Sequence, residues 1–208
     1  MPYFKIPPSE PAEGWIAALW NEQIGHDPAL HDHSSHVGLI AGVVAGAMGL
    51  PEADVIRIQI AGQFHDIGKL NVPHAVLYAP RRLTAQEMTL VREHSVMGER
   101  RIRQISADTP LLGFVADVAL HHHERYDGSG YPNGLVGDAV SLPSRIVAAC
   151  DVYSALWERR PYKPALPHAE VMRRLLEGDD RMTPAMFDPA VIAAIRASQP
   201  ELRRLLPE

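Results

Sequence analysis

Cysteine is almost absent from this chain. Cys150 is the single one in 208 residues, so no internal disulfide can form and no cysteine-rich zinc module can be built. It lies in the run Val147-Ala148-Ala149-Cys150 and reads as a small core residue. No apolar stretch approaches the roughly 18 residues that a spanning helix needs, and Met1-Pro2-Tyr3-Phe4-Lys5 does not open a secretion signal. The expectation is a soluble, cytoplasmic protein without a membrane partner. Basic charge is short as well: 20 Lys and Arg against 25 Asp and Glu leave a net charge of -5, which argues against a nucleic-acid polymer as partner. Alternating apolar runs that would mark strands are missing, and so is any internal repeat.

What remains is a chain with 46% hydrophobic residues, enough for one substantial core. Its periodicity is helical almost throughout, and the fold class expected is all-α, a single-domain helical bundle. Proline-rich residues 1–12 predict an extended lead-in, and Trp15, Ile16, Leu19 and Trp20 a short docking helix behind it. We therefore divide the chain into an N-terminal segment over 1–28 and a main domain over 29–208. His33, Val37, Ile40, Val44 and Met48 form one helical stripe, and Ala53, Ile56, Ile60 and Phe64 a second that ends at His65-Asp66, where Gly68 would loosen the chain. Thr84-Ala85-Gln86-Glu87 is a capping box expected to start a helix carrying His94. Thr109-Pro110 starts another that runs into His122, and Pro143 opens the one containing Asp151.

Eleven histidines are present, and several sit beside carboxylates in apolar segments, where an unpaired polar ring is costly to bury. A metal would resolve that cost. Imidazole and carboxylate ligands suit iron, manganese or zinc, whereas thiolate-selecting metals find no ligands here. If two divalent ions share Asp66, one can take His33, His65, Asp66 and Asp151, and the other Asp66, His94, His122 and His123. Six-coordination then leaves room for a bridging hydroxide and a substrate oxygen, and two ions, two aspartates, hydroxide and a phosphodiester sum to neutrality. Phosphodiester hydrolysis fits those requirements best. Lys69, one short turn beyond Asp66, can place an ammonium on a phosphate oxygen, or be a solvated surface lysine.

The order of these motifs resembles the HD-GYP branch of the HD phosphohydrolase superfamily. The resemblance rests on His65-Asp66-Ile67-Gly68-Lys69, Val72-Pro73, Leu83-Thr84, His94 with Gly98, and the run from His122 to Pro132. It continues through Asp151, Ala155-Leu156, Arg160-Pro161-Tyr162 and Phe187-Asp188-Pro189. It implies a helical bundle of the HD phosphohydrolase type with a buried di-metal site that hydrolyses cyclic di-GMP to pGpG or GMP. Carried over residue by residue, the metal ligands are His33, His65, Asp66, His94, His122, His123 and Asp151. Asp66 and Lys69 are the catalytic pair, with Lys69 on the scissile phosphate, and Tyr131, Arg160 and Lys163 hold the dinucleotide. Three positions depart from the pattern. Ala29 stands where tri-metal members have glutamate, which favours two ions; Ser154 replaces an aspartate, and His36 a commonly basic arginine. Ser154 motivates an alternative: a cyclic dinucleotide sensor or a module that binds a protein through its Gly-Tyr-Pro loop, with little turnover. A di-metal hydrolase for another cyclic dinucleotide is the other.

His36 is read as a core-edge histidine in preference to a group supporting the ligands, and His121 is expected exposed, with Glu124 and Asp127 either orienting imidazoles or bracing the loop. Gly128 and Gly130 are read as backbone-angle positions, and Tyr131 as stacking on a base or packing the loop onto its own domain.

Overall fold

A computed structural model of the protein describes residues 13–105, 109–158 and 165–206. Among them helices alternate with turns, and no strand occurs. The expected lead-in over 1–12, together with Arg160 and Lys163, lies outside the described residues.

Helix α1 (Glu13–His26) is followed at once by α2 (Pro28–Ala47). The Asp27 side chain accepts from the amides of Ala29 and Leu30 at 3.1 Å each and so caps α2, while Pro28 occupies a first-turn position that needs no amide hydrogen. Trp15, Ile16 and Leu19 bury α1 against the core. Along α2 the expected stripe holds, with Val37, Ile40 and Val44 fully buried.

Helix α3 (Glu52–Phe64) lies close enough to α2 for the two backbones to approach at glycines. A Cβ on Gly62 would meet the Gly38 Cα at 2.9 Å, and one on Gly38 would meet the Gln59 carbonyl at 2.7 Å. Two helices this close bring their polar ends together, so His33 of α2 faces His65 just beyond α3.

A 3-10 turn (Ile67–Asn71) and the short α4 (His74–Leu77) lead to α5 (Ala85–Arg92) and α6 (His94–Arg103). The capping box at Thr84 forms as read: the Glu87 amide donates to Thr84 Oγ1 at 3.2 Å and the Thr84 amide to Glu87 Oε2 at 2.8 Å. The helix it starts does not reach His94. It breaks at Glu93, and His94 Nδ1 donates to the Val91 carbonyl at the break (2.5 Å), which turns the ring inward.

Helices α7 (Pro110–His121) and α8 (Leu142–Trp157) deliver the remaining polar groups, and α9 (His168–Glu177), α10 (Pro189–Ala197) and α11 (Gln199–Leu205) close the bundle. Cys150 is fully buried, as its surroundings in sequence suggest. No helix among the described residues is long and apolar enough to cross a membrane.

Candidate metal centre

The ends of α3 and α7, the start of α6, and one face each of α2 and α8 converge on one point. There the ligand atoms of Asp66, His94, His122 and His123 lie within 4.8 Å of one another, and so do those of His33, His65 and Asp66. Asp66 belongs to both groups. Asp151 Oδ1 joins the second, 3.0 Å from His33 Nε2 and 3.8 Å from His65 Nε2. All seven residues expected to hold metal are thus brought together.

The rings are oriented from behind. His65 Nδ1 donates to the Gly62 carbonyl at 2.7 Å, His94 Nδ1 to Val91 at 2.5 Å, and His122 Nδ1 to Ala119 at 3.0 Å. Each bond fixes the tautomer and leaves Nε2 as a lone pair aimed into the site. The consequence is a concentration of acceptors: His94 Nε2 and His122 Nε2 are 3.2 Å apart, Asp66 Oδ1 is 3.2 Å from the former, and His65 Nε2 and Asp66 Oδ1 are buried without a hydrogen-bond partner. Buried acceptors facing one another are costly unless a cation lies between them. A divalent metal fits this donor set.

Electrostatics point the same way. Burial, reinforced by neighbouring rings, pushes His122 down to about 4 and His123 well below its usual range. Both rings are therefore neutral at pH 7. Burial opposes ionisation of Asp66 and Asp151, yet Lys69 and His65 beside Asp66, and His33 beside Asp151, hold both carboxyls well below the carboxylate range. At His33 burial is outweighed by hydrogen bonds to Asp151 and Glu158, which raise it to about 9. A metal on His33 Nε2 must therefore displace a proton at neutral pH, and affinity should rise with pH up to about 9. Calorimetric metal titration at pH 7 in buffers of different ionisation enthalpy should show about one proton released per chain at this position; no release would remove His33 from the ligand set.

A model of the HD domain family matches residues 23–191. The chain belongs to the HD domain family. A cyclic di-GMP phosphodiesterase of Thermotoga maritima is 35% identical over 176 residues, 85% of this chain and 46% of that one. A 3'3'-cGAMP-specific phosphodiesterase 1 of Vibrio cholerae is 37% identical over 140 residues, 67% of this chain and 32% of that one. The chain spans less than half the length of these relatives. The solved HD domain of the L. monocytogenes phosphodiesterase PgpH, in complex with cyclic-di-AMP, shares the fold. Its TM-score is 0.61 at 18% identity, covering 92% of this chain and 98% of that one. With its Gly130-Tyr131-Pro132 loop and such relatives, this HD domain falls in the HD-GYP branch.

In this HD domain Lys69 Nζ pairs with Asp66 Oδ2. Beside the cluster is a cavity of about 220 Å³, lined by His122, His123 and Asp151, by the apolar Met186 and Phe187, and by Arg125 and Arg181.

The loop after His123 is held tightly. Glu124 accepts the amides of Asn133 at 2.7 Å and Leu135 at 3.0 Å, and Asp127 that of Ser129 at 2.9 Å, so both carboxylates brace the loop. Gly128 sits at φ +80 as its reading requires. Gly130 does not have a positive φ. Its Cβ would instead approach the Glu124 Cα at 2.5 Å and the His123 carbonyl at 2.6 Å, so close packing is what demands glycine there. Tyr131 packs onto its own domain, its ring stacked on His123 at 4.7 Å with the Arg92 guanidinium 5.1 Å from its centroid, and the Tyr131-Pro132 peptide is cis.

Three other readings change. His121 is not exposed: Nδ1 donates to Asp117 at 2.9 Å and Nε2 accepts from Asn133 Nδ2 at 3.1 Å, which ties the loop to α7. Gly68 does not loosen the chain, because a Cβ there would overlap the His94 carbonyl and lie 2.5 Å from the Gly98 amide nitrogen. His36 is no idle edge residue, since its Nδ1 donates at 2.8 Å to Glu158, a carboxylate that the sequence reading passed over. The available signal was the helical spacing of Ser154 and Glu158.

Proposed function

We propose that this HD domain is a metal-dependent phosphodiesterase that opens a cyclic dinucleotide, with cyclic di-GMP as the substrate and pGpG or GMP as products. The observation that carries the reading is Asp66, a buried carboxylate common to two groups of convergent ligand atoms. His33, His65, Asp66 and Asp151 would hold one divalent ion, and Asp66, His94, His122 and His123 a second. Iron or manganese is favoured by this nitrogen and oxygen donor set, and zinc is compatible with it. Ala29 is exposed and offers no ligand atom, which supports two ions rather than three. Bound there, the ions would supply Lewis acidity that generates hydroxide near neutral pH and stabilises the attacking and leaving oxygens.

The chain's own residues do the rest. Lys69, whose ammonium is paired with Asp66 Oδ2, would place that charge against a phosphate oxygen. The cavity beside His123 offers apolar side chains to a base and two guanidinium groups to a phosphate. Arg160 and Lys163 are assigned to the dinucleotide by resemblance alone. Tyr131, whose ring is stacked on His123, is likewise assigned to the dinucleotide by resemblance. Relatives bearing the names cyclic di-GMP and 3'3'-cGAMP phosphodiesterase support this substrate class, and the complete ligand set supports turnover over sensing. The division at residue 28 belongs to the same proposal, with the helix ahead of it docked by Trp15, Ile16 and Leu19 onto the common core.

The test is incubation of protein reconstituted anaerobically with iron, manganese or zinc. Cyclic di-GMP, 3'3'-cGAMP and cyclic di-AMP are supplied in parallel, and products are separated by chromatography. We expect pGpG or GMP from cyclic di-GMP and two metal equivalents per chain. Tight binding without product under every metal would establish the sensor instead.

A further inference from the structure

The first ligand helix differs from the others in how its ring is supported. His65, His94 and His122 lean on main-chain carbonyls, but the outer nitrogen of His33 donates to a side chain, Glu158 Oε2, at 2.9 Å. The other oxygen of the same carboxylate accepts from His36 Nδ1 at 2.8 Å and from Ser154 Oγ at 2.9 Å. Its side chain is 14% exposed, and Trp157 packs edge-on against His36 at 5.3 Å. Two positions that depart from the family pattern, His36 and Ser154, therefore meet at a single carboxylate one helical turn beyond Ser154.

We infer that Glu158 is a positioning residue that orients His33 toward the metal centre, taking over from position 154 the carboxylate that Ser154 lacks. It lies on Nδ1, the side of the ring away from Asp151, so it acts through His33 and not as a ligand. A carboxylate on the outer nitrogen fixes the tautomer and strengthens the ring as a donor to metal. Ser154 Oγ is itself 3.5 Å from His33 Nδ1, so an aspartate at 154 would reach the same nitrogen.

This inference rests on the metal-centre reading of the proposed function but not on any substrate. Metal affinity, measured by chelator competition without nucleotide, is its readout, and a failure to hydrolyse any cyclic dinucleotide would leave that measurement intact. Glu158→Ala should weaken binding of the ion held by His33 by about 10 to 100-fold, with helix content and melting temperature of the metal-free protein preserved. Glu158→Gln, which keeps an acceptor oxygen, should lose only a few-fold. Adding Ser154→Asp to Glu158→Ala should restore affinity. Where turnover is measured at saturating metal, kcat should fall and KM hold. Unchanged affinity in Glu158→Ala, or a loss that the relocated carboxylate does not repair, overturns the inference.

Discussion

Replacing Asp66 by alanine should abolish turnover and strip metal from both halves of the centre at once. No other side chain belongs to both ligand groups among the described residues. Its Oδ1 lies 3.2 Å from His94 Nε2 and 3.6 Å from His122 Nε2, and its Oδ2 lies 3.3 Å from His65 Nε2. Removing it leaves the Lys69 ammonium beside a cluster of imidazoles, so the positive charge already present repels the incoming ions. The rate should fall by more than the roughly 10²–10³-fold that one transition-state donor is worth, with metal content near zero. Asp66→Asn separates charge from shape: it fills the same volume and should still bind metal poorly. Metal analysis beside product chromatography and circular dichroism checks both variants. An alanine variant that retained two ions would remove Asp66 from the role of shared ligand.

Gly68→Ala should be the most damaging single methyl group. A Cβ at this position overlaps the His94 carbonyl and sits 2.5 Å from the Gly98 nitrogen, all backbone atoms that cannot rotate away. The 3-10 turn and α6 must separate, which pulls Asp66 and Lys69 away from His94. The destabilisation should reach or exceed the upper end of the roughly 1 to 3 kcal/mol that overpacking costs, read as a lower urea midpoint, and metal affinity should fall with it. Gly113→Ala is the matched control. It lies exposed within α7 with nothing within 4 Å of its added Cβ, so the same substitution should stabilise by about 1 kcal/mol. Equal effects at both positions would refute the packing argument.

The helices and the ligands were legible in the sequence for different reasons. Helix starts at Thr84 and Thr109 are local chemistry, readable from a few adjacent residues. The seven convergent residues stand out partly because imidazoles and carboxylates embedded in apolar helices need partners, but His33 and His94 are singled out only by their place in the ordered series of motifs. What could not be read were contacts set by distance in space. Glu158 lies 125 residues from His33, so nothing near either residue announces the pair, and Ser154 in isolation looks like a simple loss. Gly68 and Gly130 carry no sign of whether glycine serves an angle or a close approach. In the described structure close approach decides both. The break at Glu93 was missed because a capping box reports where a helix starts and is silent about where a side chain will end it.

The carbonyl supports behind His65, His94 and His122 have a consequence for how an ion is chosen. These rings lose their rotational freedom when the chain folds, so the ordering of each, roughly 0.5 to 1.5 kcal/mol for a side chain, belongs to folding and not to metal uptake. Those three rings would meet any ion in the same arrangement. Selection among iron, manganese and zinc would then fall, at these three rings, to the bond strength each ion forms with nitrogen and to its supply.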